Sequence, residues 1–436
     1  MSPPDAPEGG LRAALRSSGF RRLLIGQAVS SLGDWVATLA FIVAAFALTN
    51  GNQTAVAAVL VLRLVPPIFA GPVGGVVADR VHRRTIMVAC DLSRAALIAA
   101  VPFVNIGALY VIALVHECIS LFFLPARDAS VPLLVPPGAL AEANGLILGS
   151  SYGSIPVAAA LFGGLRLVAS HIPSWVPFAA LFARHPTSFA FFFDAATFVF
   201  SAGMIAGLDL RHERRAVETE ILADVAEGFR YVRDHAGLRA LAYGLIVSMF
   251  GGGVLFAVGI GYIHETLRGS DVAFGWLASL WGLGMGLGLL FVRTVVRRGK
   301  ARAFPAAVAT CGAVLLVMAL LPYLWLAFVA AVAFGAAFSV AILVALTLAQ
   351  ENVEDRIRGR IMGGVQMLFR VGLGAGALGI GALAHSIHRV KLGVNLDGNQ
   401  VGLIAGGALI LLGALASSGA VRSGAWTKKG PQPNRS

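Results

Sequence analysis

Long apolar runs separated by short polar connections make up most of the 436-residue chain. Each run is close to the length of about 20 mainly apolar residues that an α-helix needs to cross a bilayer. The pattern therefore predicts an all-α integral membrane protein with twelve transmembrane helices. The predicted spans cover residues 20–49, 54–78, 85–104, 108–123, 143–169, 188–208, 238–263, 274–296, 304–320, 324–348, 359–384 and 401–416.

Composition agrees with a membrane protein and excludes other classes. Apolar residues make up 57% of the chain and charged residues 13%, against about 45–50% and about 25% in soluble domains. The net charge of +12 does not indicate a nucleic-acid partner, because the basic residues lie at the ends of apolar runs. The cysteines show no metal-binding or disulfide spacing, and the sequence contains no nucleotide-binding loop or catalytic triad. We therefore expect no cofactor, no metal and no enzymatic activity.

Basic residues are shared unequally between the two sets of span ends. Of the 34 lysines and arginines, 26 lie at one set of ends, 5 at the opposite set and three within spans. Cytoplasmic connections carry the excess of basic residues, so the first set is predicted to be cytoplasmic. Both termini are then cytoplasmic, as an even number of spans requires, in a multi-pass protein of the cell membrane.

The longest predicted inner connection divides the spans into two groups of six. We expect a cytoplasmic segment over 1–19, a six-helix bundle over 20–208, a cytoplasmic linker over 209–237, a second bundle over 238–418 and a cytoplasmic tail over 419–436. Apolar residues recur at roughly helical spacing between Ile221 and Val232 of the linker. This fits either an amphipathic helix at the inner membrane surface or a solvated linker helix.

The segment 71–84, which reads GPVGGVVADRVHRR, lies between the second and third spans. It crowds one acid and three arginines into six residues: Asp79, Arg80, Arg83 and Arg84. Such charge is costly close to lipid, so it predicts a cytoplasmic loop. The spacing of Gly75 from this charged group resembles the signature loop of the major facilitator superfamily, although His82 stands where that pattern usually has glycine.

Further stretches resemble the drug-exporter branch of that superfamily, which includes macrolide exporters and the enterobactin exporter. They are SLGDW at 31–35, RLVPP at 63–67, DLSRA at 91–95, LPARDASVP at 124–132, AN at 143–144, FDAATF at 193–198, QENV at 350–353 and RGRIM at 358–362. The resemblance implies two six-helix bundles that transport a small molecule by alternating access. The antiporter motif of that family is matched only loosely, by GSIP at 153–156 and GG at 163–164.

The resemblance also assigns a role to the loop. In similar proteins the aspartate equivalent to Asp79 is thought to form a contact between bundles that favours the outward-open state. An aspartate can form such a contact by accepting hydrogen bonds from helix N-terminal amides or by pairing with an arginine. The gating-loop candidates are Gly75, Asp79, Arg80, Arg83 and Arg84. The alternative is that the arginines only set the topology.

Ionisable residues inside spans suggest where a proton is coupled, because each is costly in lipid and usually faces a cavity or a partner. Asp34 lies midway along span one, Arg63 along span two, and Glu117, next to His116, along span four. Burial favours the protonated form of a carboxylate, so Asp34 and Glu117 are the proton-coupling candidates, with Arg63 as the charge that releases the proton. The alternative is a fixed Asp34–Arg63 pair.

Other charged residues are given different roles. Asp91 and Arg94, spaced i, i+3, are predicted to form a structural pair. Asp194 is placed in the outer third of span six, within reach of water, with its role open. The second bundle offers no acid at membrane depth, only Arg370 and Gln366, so coupling is expected in the first bundle.

Three functions remain compatible with these patterns. The first is a monomeric, proton-driven exporter of small amphipathic molecules; the second is an importer of a polar solute; the third is a membrane scaffold that does not transport. The gating loop and the buried carboxylates argue against a scaffold. The mainly apolar spans favour lipophilic cargo, such as a drug-like or siderophore-like molecule.

Overall fold

The computed structural model describes residues 10–64, 66, 82–173, 175, 179–210, 230–297, 299–351, 353, 355–387 and 396–422. All regular secondary structure within these ranges is helical. The helices are α1 (Gly10–Arg16), α2 (Ser18–Leu48), α3 (Gln53–Leu64), α4 (Arg83–Ala100), α5 (Ile106–Leu134), α6 (Leu140–Ser170), α7 (Ala179–Arg184), α8 (Thr187–Ala206), α9 (Ala236–Gly261), α10 (Asp271–Arg297), α11 (Lys300–Leu320), α12 (Leu324–Glu351), α13 (Asp355–Ile387) and α14 (Gly398–Arg422).

Each predicted span coincides with one of these helices. Within the described ranges, ten helices are long and apolar enough to cross a membrane. The two halves of α6, bent by 41°, form an eleventh. The remaining predicted span holds α3, a shorter apolar helix of 12 residues, and most of the rest of that span lies outside the described residues. The prediction of an all-α membrane protein is confirmed.

One helix boundary differs strongly from its prediction. The fourth span was expected to end at residue 123, but α5 continues to Leu134 through Pro125 and Pro132. A proline removes only its own backbone hydrogen bond, and membrane helices tolerate this loss because neighbouring groups replace the missing contact. The stretch 124–132 is therefore part of a long helix rather than a connection.

The chain forms two compact units. The first comprises Met1–Ala44 and Pro66–Glu218, and the second Ala45–Val65 and Thr219–Ser436. Within the second unit, α3 packs on α9 and α13. Glycines of α13 line this contact: a Cβ at Gly374 would lie 3.3 Å from the side chain of Val61, and one at Gly381 3.4 Å from the backbone oxygen of Gln53. The predicted division into bundles over 20–208 and 238–418 stays a prediction.

The two units are packed by different means. In the first unit, α4 lies against α5 and α8, and large apolar side chains such as Phe20, Met87 and Phe123 fill its core. In the second unit, α10 packs on α12 through glycines. A Cβ at Gly284 would collide with the backbone of Val332, which shows that the two backbones are in contact. Small residues commonly allow such close approach between membrane helices.

Candidate functional site

A buried histidine lies at the centre of the polar residues of the first unit. His116, on α5, is 1% exposed. Its Nε2 atom is 3.7 Å from Oδ1 of Asp34 on α2, and its Nδ1 atom is 3.6 Å from Oε1 of Glu117. The aromatic ring of Phe198, on α8, lies 5.6 Å from the imidazole ring. The two carboxylates predicted to couple protons thus meet at one imidazole.

The predicted pair on α4 lies in the same unit. Arg94 donates a hydrogen bond to Asp91, and both side chains are buried. The guanidinium carbon of Arg94 is 4.4 Å from the ring centroids of both Phe123 and Phe198. Such cation–π contacts are strongest when water is excluded. They place two aromatic rings against the charge of Arg94. The structural role of the pair remains a prediction.

Asp194 is more deeply buried than its position along the sequence indicated. Its side chain is 0% exposed, so the expectation that water reaches it is wrong. It accepts a hydrogen bond from the Thr197 hydroxyl at 3.2 Å. Close packing of α2 on α8 explains the burial, because a Cβ at Gly33 would overlap both Asp194 and Thr197. The glycine of the 31–35 motif therefore lets α2 approach Asp194 and Thr197 on α8 closely.

Polar contacts on either side of Asp34 attach α2 to α6. The Trp35 indole nitrogen donates to the backbone oxygen of Ser151 at 3.0 Å. Two turns earlier on α2, the Gln27 amide donates to the Ser31 hydroxyl at 2.7 Å and reaches the Ser151 hydroxyl at 3.4 Å. These bonds fix the position of the helix that carries Asp34.

Part of the predicted gating loop is described. Gly75, Asp79 and Arg80 lie outside the described residues. Arg83 donates to the backbone oxygen of Ala129 at 3.0 Å, and Arg84 to that of Leu208 at 3.2 Å. Cations are favourable at the carbonyl end of a helix, such as the end of α8 that Arg84 contacts. The start of α4 is therefore attached to α5 and α8.

Arg63, the predicted proton-releasing charge, lies on α3 in the second unit and is 8% exposed. Its pairing with Asp34 stays a prediction. Within the first unit, Arg94 is a cation that lies beside the carboxylate cluster.

A family model described as transmembrane secretion effector matches residues 10–432. The chain belongs to this family of major facilitator transporters. It is 27% identical over 282 residues to the uncharacterized MFS-type transporter YfiS of Bacillus subtilis (strain 168), a match that covers 61% of this chain and 62% of YfiS. It is 25% identical over 407 residues to the uncharacterized MFS-type transporter YvqJ of the same organism, covering 92% and 93% of the two chains.

Solved transporters share the fold. A bacterial homolog of the human lysosomal transporter Spinster, in an inward-facing and unoccupied conformation, aligns with a TM-score of 0.71 at 15% identity, covering 95% of this chain and 99% of that one. The nucleoside transporter NupG aligns with a TM-score of 0.71 at 13% identity, covering 93% and 99%. Membership of the secretion-effector family makes the protein a membrane transporter rather than an enzyme.

An acidic residue of the transporter's second unit escaped the sequence interpretation. The apolar helical segment runs to Thr266 rather than to 263, and Glu265 lies in its last, π-helical turn. Glu265 accepts a hydrogen bond from Asn399 at 2.9 Å, and Asn399 accepts one from Gln53. An acid therefore lies at the end of this helical segment, and the expectation of no acid at membrane depth in the second bundle stays a prediction. Residues 264–266 are polar, so the apolar pattern along the sequence ends before this turn and does not assign Glu265 to the helix.

The importance of His116 was also missed. Along the sequence, His116 stands out only as the neighbour of Glu117. A histidine within an apolar span is a usable signal, because ionisable residues in membrane spans are rare and usually have a partner. Its second partner, Asp34, is 82 positions away along the chain, and only the packing of α2 against α5 brings the two together.

Proposed function

We propose that this transporter exports a small lipophilic or amphipathic molecule, of the drug or siderophore kind, in exchange for protons. The observation that carries the proposal is the meeting of Asp34 and Glu117 at one buried imidazole. An ionisable side chain at the centre of a membrane helix costs roughly 2.5–3.5 kcal/mol or more, and such residues usually mark the path of an ion. Carboxylate and imidazole groups both exchange protons, which makes the proton the fitting ion.

The membrane potential supplies enough energy for this exchange. One charge that moves through 100 mV releases about 2.3 kcal/mol, which sustains a concentration ratio of about fiftyfold. Export against a gradient therefore requires no nucleotide site. Alternating access, in which the cargo site opens to one side at a time, converts proton movement into cargo movement.

The direction and the cargo class rest on two supports. The family description, secretion effector, favours outward movement. The resemblance of several motifs to macrolide and enterobactin exporters, together with 57% apolar residues, favours a lipophilic cargo. Proton-coupled import of a small solute is the second candidate, and it predicts the opposite change in cellular accumulation.

We propose that the loop of Gly75, Asp79, Arg80, Arg83 and Arg84 gates this cycle. The attachments of Arg83 and Arg84 to α5 and α8 support a loop whose end is held by the first unit. Asp79→Asn should lower transport while membrane abundance stays normal. Full activity of that variant would limit the loop to setting topology.

We further propose a monomer in the plasma membrane, with cytoplasmic termini and two six-helix bundles over 20–208 and 238–418. The 26-to-5 distribution of basic residues supports this orientation. Single cysteines at positions 219 and 52 should react with membrane-impermeant reagents from opposite sides. Reaction from the same side would contradict the topology, and a dimer in light scattering of the purified protein would contradict the monomer.

The deciding experiment measures accumulation of a panel of lipophilic fluorescent drugs and siderophores in bacteria that lack their own efflux pumps. Cells that express the transporter should accumulate less of at least one compound, and a protonophore should abolish the difference. Higher accumulation would favour the importer. Efflux that resists the protonophore would exclude proton coupling.

A further inference from the structure

The imidazole of His116 is buried in an unusual electrostatic setting. Neither ring nitrogen has a hydrogen-bond partner among the described residues, yet both are inaccessible to solvent. Each nitrogen instead faces a carboxylate oxygen, Asp34 Oδ1 at 3.7 Å and Glu117 Oε1 at 3.6 Å. These separations exceed the 2.7–3.2 Å of ordinary hydrogen bonds by about half an ångström. A histidine with a fixed structural role in the core would hold a partner at bonding distance.

The chemistry of imidazole explains what such a setting can bind. Neutral imidazole has one N–H group and one lone pair, so one of its nitrogens always presents a lone pair to a carboxylate. Only the imidazolium ion presents an N–H group to both sides. Two carboxylates on opposite edges of the ring therefore form a site that one additional proton completes.

We propose that His116 holds the coupling proton, in a three-membered site with Asp34 and Glu117. This inference rests on the proposed proton-driven function, and it assigns proton binding in the transport cycle to a residue of the first unit. The ligand is the proton itself.

Charged groups of four helices lie in this part of the first unit. Asp34 approaches the ring from α2 and Glu117 from α5, and the Asp91–Arg94 pair lies on α4. From α8, the ring of Phe198 covers the imidazole, and Asp194 lies beside Gly33. Arg94, paired with Asp91, is the buried cation nearest this group, and a proton on His116 would place a second positive charge directly between Asp34 and Glu117.

The geometry also gives the proton a route. The Asp34 side chain is 31% exposed and that of Glu117 13%, whereas that of His116 is 1% exposed. A proton on Asp34 Oδ1 can transfer to Nε2, which breaks an O–H bond and forms an N–H bond. The Nδ1–H proton can then transfer to Glu117 Oε1, which leaves the imidazole neutral. One proton has moved between the carboxylates, and no other reactant is needed.

The first test uses protons as the probe. The full-length transporter, labelled with ¹⁵N-histidine and placed in lipid nanodiscs, is titrated from acid to alkaline pH by nuclear magnetic resonance. The His116 signals, assigned with His116→Gln, should convert between a neutral form and an imidazolium with two N–H groups. In Glu117→Gln the imidazolium should be less populated at a given pH. Signals of a single neutral tautomer throughout, or no effect of Glu117→Gln, would overturn the inference.

The second test measures transport in proteoliposomes with the cargo found in the efflux screen. His116→Gln keeps a polar side chain but cannot carry a second proton, so downhill exchange should remain and concentrative efflux should be lost. His171→Gln, at an exposed histidine near the end of α6, is the matched control and should behave as wild type.

The two proposals fail in different ways. If the wild-type protein transports without any dependence on a proton gradient, the proposed function is wrong. If the wild type is proton-driven but His116→Gln retains concentrative efflux with the wild-type pH dependence, the function stands and His116 is not the proton site. The titration of the wild-type protein decides the inference even if the variant does not fold.

Discussion

The two units of this transporter differ in how their buried polar groups are grouped. In the first unit charged groups lie together: Asp91 and Arg94 form an ion pair, and His116 lies between two carboxylates. In the second unit Arg63 is a buried charge, but the described polar cluster is built on neutral amides, since Gln53 and Asn399 are hydrogen-bonded and the helix-end Glu265 adds one charge to them. Charged groups respond to protons and neutral amides do not. This difference is why the proposed proton coupling is sought in the first unit.

The two units also differ in how their helices pack. In the second unit, helix backbones touch at glycines such as Gly284 and Gly335. In the first, bulky aromatic residues surround the polar cluster, as Phe123 and Phe198 do on the two sides of Arg94. Close backbone contact makes a rigid interface. An aromatic enclosure excludes water and thereby strengthens every charge interaction inside it.

The largest expected effect concerns the proton carriers. Glu117→Gln keeps the size of the side chain but cannot exchange a proton, so concentrative, proton-driven efflux should be abolished while downhill exchange persists. The measurement is cargo transport in proteoliposomes with and without an imposed pH gradient.

The matched variant in the second unit is Glu265→Gln. It retains an oxygen that can accept the hydrogen bond of Asn399, so it should keep concentrative efflux. Loss of efflux in Glu265→Gln with normal efflux in Glu117→Gln would reverse the assignment of the two units.

The next effect concerns stability in the first unit. Arg94→Ala leaves Asp91 buried without its cation, and breaking a buried ion pair in this way costs about 3–5 kcal/mol. We expect a large fall in the unfolding midpoint of the detergent-solubilised protein. The double variant Asp91→Asn with Arg94→Met removes both charges and should recover most of the loss, because a buried pair is often replaceable by neutral groups. A single variant as stable as wild type would show that the pair contributes nothing.

Glycine packing in the second unit should give a smaller effect. Gly284→Ala places a methyl group against the backbone of Val332, and overpacking of this kind costs about 1–3 kcal/mol. Gly286→Ala, on the same helix, meets nothing within 4 Å and should be neutral or slightly stabilising, since alanine favours helix. Thermal unfolding of both variants is the measurement. Equal midpoints would contradict the close packing of α10 on α12.

The smallest effect is expected at the amide contacts. Asn399→Ala removes the hydrogen bonds to Gln53 and Glu265 and should cost about 1–2 kcal/mol. Glu265→Gln again serves as the control, because it keeps a hydrogen-bond acceptor for Asn399. Destabilisation by Glu265→Gln as large as that by Asn399→Ala would indicate that the charge of Glu265, rather than the bond, matters.

The sequence alone determined the class of protein and the position of its helices. Twelve apolar runs predicted twelve helices, because spanning a bilayer depends on the residues of one segment and not on its neighbours. The same reasoning located Asp34, Glu117, Asp91 and Arg94 within spans, since a charge in an apolar run is visible in the run itself. Boundaries were less well determined where prolines are tolerated, as in α5, or where polar residues close a helix, as at Glu265.

Only the tertiary structure decided which of these residues meet. The contact between His116 and Asp34 joins residues 82 positions apart, and the burial of Asp194 depends on the absence of a side chain at Gly33 on another helix. The grouping of α3 with the second unit likewise comes from its packing on α9 and α13. These outcomes arise from packing between distant segments, and the fit of two segments depends on the shapes of both surfaces. A hydropathy pattern cannot predict that fit, because it records only the preference of each residue for lipid or water.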